Sequence, residues 1–284
     1  MRNWKNCSGE SRKSWASALS IIGWNSTASP LTATGTASGH SRLIAIARIA
    51  GLVGLFLACL PPHLLSKWLL GRSRWPRRFL RSAAYVAGVR TQVEGQPLAP
   101  HTLLAANHSS WLDILILGGS VGAAFVSKVE VKKTLLIGWL ADQNRTLYID
   151  RAARGDAHRQ VRRIVEALDH PQPLAVFPEG TTGNGSSLLP FRPTLLAAAA
   201  PPPPGVSIRP VAIDFHDNAS LVSWHSGEPG TANALRILGR PGSIRVTVRL
   251  LDPLGPHVDR KALAREAHLT IARALSFVTA PTGL

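Results

Sequence analysis

From residue 89 onward the chain alternates short strand-like runs with stretches of helical period, and this alternation limits the possible folds more than any other feature. The runs at 91–94, 103–106, 123–127, 146–149, 174–177, 207–214 and 243–251 have the length and composition of strands. Between and after them, 111–117, 132–141, 157–169, 194–200 and 259–277 read as helices. In the third of these, Ala157, Val161, Ile164, Val165 and Leu168 share one face, and Arg159, Arg162 and Arg163 occupy the rest. Pro201 to Pro204 close the alanine-rich fourth, since proline cannot continue a helix. Strands alternating with helices predict an α/β domain, a mixed sheet flanked by helices.

What precedes that domain has a different character. Residues 1–40 are rich in Ser, Thr, Gly, Asn and Ala without a sustained period, and are expected to be a poorly ordered extension rather than a secretory signal. Residues 43–60 form an apolar run whose only charge is Arg48, ending at Pro61-Pro62. Crossing a bilayer takes about 20 apolar residues, so a span, an in-plane anchor and a buried helix all fit. Lys67, Arg72, Arg74, Arg77, Arg78 and Arg81 follow, interleaved with Trp68, Trp75 and Phe79. Basic residues with tryptophans beside an apolar helix suit an anionic membrane surface. The expected organisation is an extension over 1–40, an N-terminal hydrophobic membrane-associating helical segment over 41–84, and the α/β domain over 85–284.

Composition narrows the partners. A hydrophobic content of 45% excludes wholesale disorder, and a formal charge of +16 favours something anionic. Membrane is preferred to nucleic acid, because nothing near the basic stretch resembles a base-reading module. Two cysteines, Cys7 and Cys59, make neither a zinc site nor a disulfide framework, which fits a reducing, cytoplasm-facing setting. No metal site is expected.

The chemistry concentrates at the ends of the predicted strands. Residues 103–113 read L-L-A-A-N-H-S-S-W-L-D: a buried strand that stops at Asn107-His108, then Ser109 or Ser110 able to cap a helix opening at Trp111. Within one regular helix His108 and Asp113 would lie about 140° apart. With His108 in the turn before the helix, Asp113 can fold back toward its imidazole. A carboxylate on one ring nitrogen fixes the tautomer and leaves the other free to take a proton. The same residues also read as a capping turn with a solvated histidine.

Three more segments share that placement, the end of the strand where α/β sheets put their sites. Leu147-Tyr148-Ile149-Asp150-Arg151 brings an arginine that can grip a phosphate, or pair with Asp150 or Asp156 at the surface. The segment from Val176 to Gly185 runs a buried strand into Glu179, Gly180, Thr181 and Thr182. It is not a nucleotide phosphate loop, because no lysine follows the glycines. Ile208 to Ile213 reads as a buried strand forming a floor or wall.

Together these segments are more specific than any one of them. N-H-S-S-W-L-D resembles the N-H-x-S-x-x-D block of the glycerolipid acyltransferases. Y-I-D-R at 148–151, F-P-E-G-T at 177–181 and R-P-V-A-I at 209–213 resemble that family's second, third and fourth blocks, in matching order and spacing. The resemblance covers roughly residues 85–255. It implies that His108, oriented by Asp113, deprotonates a lysolipid hydroxyl, which attacks the thioester of acyl-CoA or acyl-carrier protein without a covalent acyl-enzyme and without a cofactor. It implies that Arg151, Glu179, Gly180 and Thr181, with the adjoining Thr182, serve the acceptor. It places the protein at the cytoplasmic face of the inner or plasma membrane. The third block commonly continues with arginine where this chain has Thr182. The family as a whole points first to 1-acyl-sn-glycerol-3-phosphate as acceptor, giving phosphatidate; the T-T-G-N-G continuation is similar to relatives that acylate lyso-ornithine lipid, the alternative.

Two rival classes are weaker. Gly118-Gly119-Ser120-Val121-Gly122 matches the nucleophile elbow of serine hydrolases, but that elbow needs a strand before Ser120 and a helix after it, and the expected order is the reverse. A non-enzymatic basic membrane- or RNA-binding protein would leave the four spaced blocks unexplained.

Overall fold

A computed structural model of the chain describes residues 39–149, 157–225 and 227–276. The elements in chain order are α1 (Gly39–Leu70), α2 (Trp75–Val86), β1 (Val89–Glu94), β2 (Thr102–Ala106), α3 (Leu112–Ser120), β3 (Ala124–Lys128), α4 (Val129–Lys132), α5 (Leu135–Gln143), β4 (Leu147–Ile149), α6 (Ala157–Leu168), β5 (Leu174–Val176), β6 (Ser207–Asp214), α7 (Ala219–Val222), α8 (Gly230–Gly239), β7 (Ile244–Leu250) and α9 (Arg260–Ala274). The seven strands make one sheet in the order β1-β7-β6-β2-β5-β3-β4. Strands β2 to β6 run parallel; β7 pairs antiparallel with β6 and parallel with β1. The sheet is therefore mixed, as the alternation predicts.

Successive residues of a strand face opposite ways, so a strand covered on both sides is apolar throughout. Strand β2 is buried along its whole length. Leu104 and Ala106 join the core that holds Leu112, Ile116 and Leu117 of α3, whereas Leu103 and Ala105 join Ile164 and Leu168 of α6 and Leu263 of α9. The central strand thus sits between two helical layers, and its C-terminal end is the site described below.

Helices depart from expectation in several places, and Gly230–Gly239 is one that the sequence reading did not foresee; four of the departures bear on the site and its surroundings. The stretch at 132–141 is two helices, α4 and α5. The alanine-rich stretch is a 3-10 helix over Pro193–Ala199, because prolines crowd both its ends. Helix α2 hides its period behind arginines; it opens with Pro76 in its first turn and buries Ala83 and Ala84. It packs on the Gly118-Gly119 pair of α3, where a Cβ added at Gly119 would lie 2.5 Å from the Arg81 backbone. Gly118 and Gly119 of the hydrolase-like motif are there for helix contact.

The fourth difference is α1, which does not stop at Pro61-Pro62 but continues to Leu70. Beyond the prolines, buried His63 pairs with Ser73 Oγ (2.9 Å) and Gln143 Oε1 (3.1 Å), and Lys67 donates to the same Gln143 oxygen (2.9 Å). These tertiary bonds carry the helix past a local stop. Its earlier turns dock as well: Arg48 donates to the Leu238 and Arg240 carbonyls at the end of α8 (2.9 and 2.8 Å), where the helix dipole is negative. Phe56 meets Phe79 and Trp139 edge-on. The opposite side leaves Leu43, Ile46, Val53, Leu57, Leu64, Leu65 and Trp68 exposed. By length and composition, Ser41–Leu70 is sufficient to cross a membrane. The expected extension over 1–40 lies, up to residue 38, outside the described residues.

Candidate active site

The site begins where β2 ends. Ala106 is its last ladder residue, opposite Val211. Asn107 then pairs through its side chain, Nδ2 donating to the Ile213 carbonyl (3.0 Å) and Oδ1 accepting from the Ile213 N–H (2.7 Å). The side chain takes over the edge of β6, which frees the backbone to turn away at His108.

The turn is closed by Asp113, in the first turn of α3 and wholly buried. Its Oδ2 accepts from His108 Nδ1 (2.8 Å), Ser109 N–H (2.8 Å) and Ser110 N–H (2.9 Å). The expected serine cap is replaced by this arrangement: α3 starts at Leu112, and Ser110 Oγ accepts only a long bond (3.4 Å) from its N–H. A carboxylate at that position makes charge-assisted bonds, which are shorter and stronger than a hydroxyl's. Because a carboxylate only accepts, Nδ1 of His108 carries the proton and Nε2 presents its lone pair.

The segment after β5 wraps the same histidine. Phe177 stacks on the imidazole with centroids 4.1 Å apart and planes 18° from parallel. Glu179 Oε1 accepts the His108 N–H (2.7 Å) and Oε2 the Leu189 N–H (3.0 Å). Burial pushes the Glu179 carboxyl up to about 8, while those two donors pull it down and Asp113 adds repulsion. Gly180 turns the chain at φ +75°, and Gly183 donates its N–H to the His108 carbonyl (2.7 Å). Thr181 is exposed and Thr182 half-buried; both, with Gly180, line a cavity together with His108.

That cavity, about 370 Å³, extends along the sheet from the strand ends that carry His108 and Thr181. It passes Phe125, Val126 and Ser127 of β3 and reaches Gln143, Asn144 and Thr146, which precede β4. One wall is α1, through Phe56, Cys59, Leu60 and His63. The lining is overwhelmingly apolar apart from its two ends.

Of the expected site residues, His108, Gly180, Thr181 and Thr182 meet at this cavity, and Asp113 sits directly behind His108. Glu179 is buried beside them with both oxygens on backbone groups. Arg151 lies outside the described residues. Arg209 of β6 is structural, donating to the Leu251 (2.6 Å) and Pro97 (2.9 Å) carbonyls. Sequence reasoning missed Lys128, which lines the cavity at the C-terminal end of β3. The strand-end rule, applied to the run at 123–127, would have found it. Ser120 ends α3 with its hydroxyl on the Ile116 carbonyl, a helix before it and β3 after, which is the inverse of a nucleophile elbow. Among the described residues no group of three or more His, Cys, Asp or Glu side chains could hold a metal.

The chain has clear counterparts among known proteins. The acyltransferase family model matches residues 90–214. The lyso-ornithine lipid O-acyltransferase of Pseudomonas aeruginosa is 35% identical over 258 residues, covering 84% of this chain and 95% of that protein. The chain belongs to the glycerolipid and lysophospholipid acyltransferase family and is an O-acyltransferase. A 1-acyl-sn-glycerol-3-phosphate acyltransferase of Neisseria gonorrhoeae is 33% identical over 126 residues, or 43% of this chain and 49% of that one. The crystal structure of the 1-acyl-sn-glycerophosphate acyltransferase of Thermotoga maritima has the same fold, with TM-score 0.61 at 21% identity over 83% of this chain and 95% of that one.

Proposed function

We propose that the chain moves an acyl group from acyl-CoA or acyl-carrier protein to the free hydroxyl of a lyso-ornithine lipid. The observation that carries the chemistry is the 2.8 Å His108–Asp113 bond beside the cavity. Nε2 of His108 takes the proton of the acceptor hydroxyl, and the oxygen attacks the thioester carbonyl carbon. The carbonyl re-forms, the carbon–sulfur bond breaks, and the departing thiolate takes the proton back from Nε2. The products are the ester and the free thiol; the donor is a co-substrate, and no cofactor enters. The apolar cavity suits the hydrocarbon of the donor.

Two observations favour lyso-ornithine lipid as the acceptor. The Pseudomonas relative of that name matches over nearly its whole length. Thr182 stands where arginine is common in the family, and a cation there would oppose an ornithine ammonium. A second reading, 1-acyl-sn-glycerol-3-phosphate, is favoured by Lys128 at the cavity, with Arg151 as its partner by resemblance. Acyl transfer measured across both acceptors, in wild type and Thr182→Arg, decides between them. Activity on lyso-ornithine lipid that falls in Thr182→Arg supports the first reading; wild-type activity confined to the phosphate acceptor overturns it.

The exposed apolar side of α1, with the basic and tryptophan-bearing stretch that follows, supports attachment to an anionic membrane from the cytoplasmic side. Because α1 is docked on the domain from Arg48 to Lys67, it suits a helix lying in one leaflet with the domain.

A further inference from the structure

We propose that Glu179 is a positioning residue, which holds the catalytic turn through backbone bonds and never touches the acceptor. This rests on the reading of His108 as the base, and it departs from the acceptor-binding role that the family resemblance implies for Glu179. Glu179 is 3% exposed and does not line the cavity. Each oxygen is already engaged, Oε1 by the His108 N–H and Oε2 by the Leu189 N–H. Buried and set back from the lining, the side chain offers an acceptor in the cavity no direct approach.

The bond to His108 is one of four restraints on a single residue. Asp113 holds Nδ1, Phe177 stacks on the ring, Glu179 takes the backbone N–H, and Gly183 donates to the backbone carbonyl. Three of the four come from residues 177–183. That segment therefore grips the base from the strand next door, β5, while Asp113 grips it from its own helix. With the peptide groups on both sides of His108 fixed, Nε2 keeps one direction toward the cavity. The Leu189 bond ties the far end of the same loop to the same carboxylate, so the loop cannot slide along the turn. Besides Phe177, which stacks on His108, the members of the segment that line the cavity are Gly180, Thr181 and Thr182.

Glu179→Gln tests this, because an amide keeps the size but offers one acceptor for two N–H groups. Misplacing a catalytic group by about 1 Å costs up to roughly 100-fold, so kcat should fall about 10- to 100-fold while the acceptor KM stays within about twofold. Hydrogen exchange read on peptides containing His108 and Leu189 should quicken in the variant. In wild type, saturating lyso-ornithine lipid should leave both amides as protected as before. A rise in acceptor KM with kcat kept, or loss of protection at either amide when acceptor binds, overturns the proposal. If the variant does not fold, the wild-type exchange experiment decides alone. His108→Ala keeping its turnover would sink the base reading instead, a result these exchange measurements cannot mimic.

Discussion

Asp113 bonds His108 at 2.8 Å from the first turn of the helix that follows it, so the proposed base and its orienting group belong to one tight turn rather than to two distant elements. The same oxygen holds the Ser109 and Ser110 N–H groups. Orientation of the imidazole and closure of the turn are thus one interaction.

Substitution at either end should have different signatures. His108→Ala should lower acyl transfer about 10²- to 10⁴-fold, the usual worth of a positioned base, with little change in melting temperature. Asp113→Asn should lose comparable activity and also stability, because the buried charge that gathers three N–H groups is gone. Thermal melts alongside turnover separate the two. Near-normal turnover in His108→Ala would refute the mechanism.

The polar end of the cavity should set the length of the donor chain. His63 and Gln143 bond each other there at 3.1 Å, the main polar interruption in an apolar wall. Replacing both with leucine removes two polar groups whose burial opposes a methyl terminus. The double variant should shift preference toward longer acyl thioesters in a mixed-donor competition. An unchanged product profile would show that the chain does not reach that end.

Membrane attachment should depend on side chains besides those of α1. Leu135 is 93% exposed and Leu136 53%, one turn before Trp139, which packs on α1. Lys132 and Lys133 precede them. Burying a leucine contributes about 1.5–3 kcal/mol, so Leu135→Ser with Leu136→Ser should weaken binding to anionic vesicles at least about tenfold. Flotation assays at two salt concentrations measure this; unaltered binding would confine the contact to α1.

Stability should carry a mark of Glu179. Burial raises its carboxyl from 4.5 to about 8. The native state then holds the proton more tightly than the unfolded chain. That advantage is complete below about 4.5 and is lost as pH rises through about 8. Glu179→Gln lacks the titration, so the melting temperature of wild type minus that of the variant should fall across this window. A difference independent of pH would contradict it.

Much of this architecture was legible because most strands announce themselves by burial; β1, exposed at five of its six residues, is the exception. All seven expected runs are strands, displaced by two residues at most from their observed ends on the N-terminal side. His108 and Asp113 were legible because strand end, turn and helix start follow one another in sequence. What stayed hidden depended on contacts across the fold. Helix α2 carries its apolar residues among arginines, and it meets α3 through Leu80 and the Arg81 backbone against two glycines. The passage of α1 through Pro61-Pro62 depends on Gln143, a residue some 80 positions away. The bonds of Glu179 join β5 to the turn after β2, and no local pattern reports them.

One consequence follows from the double-sided character of α1. Phe56, Cys59, Leu60 and His63 form a wall of the cavity, while Leu57, Leu64 and Leu65 of the same turns face outward. A helix is about 10–12 Å thick with its side chains. On the proposed reading the reaction chamber and the lipid reservoir are a single helix apart, and a greasy substrate has no aqueous gap to cross. Any event that lifts this rod away from the domain, such as proteolysis or detergent, would open the chamber as it severs the protein from its supply.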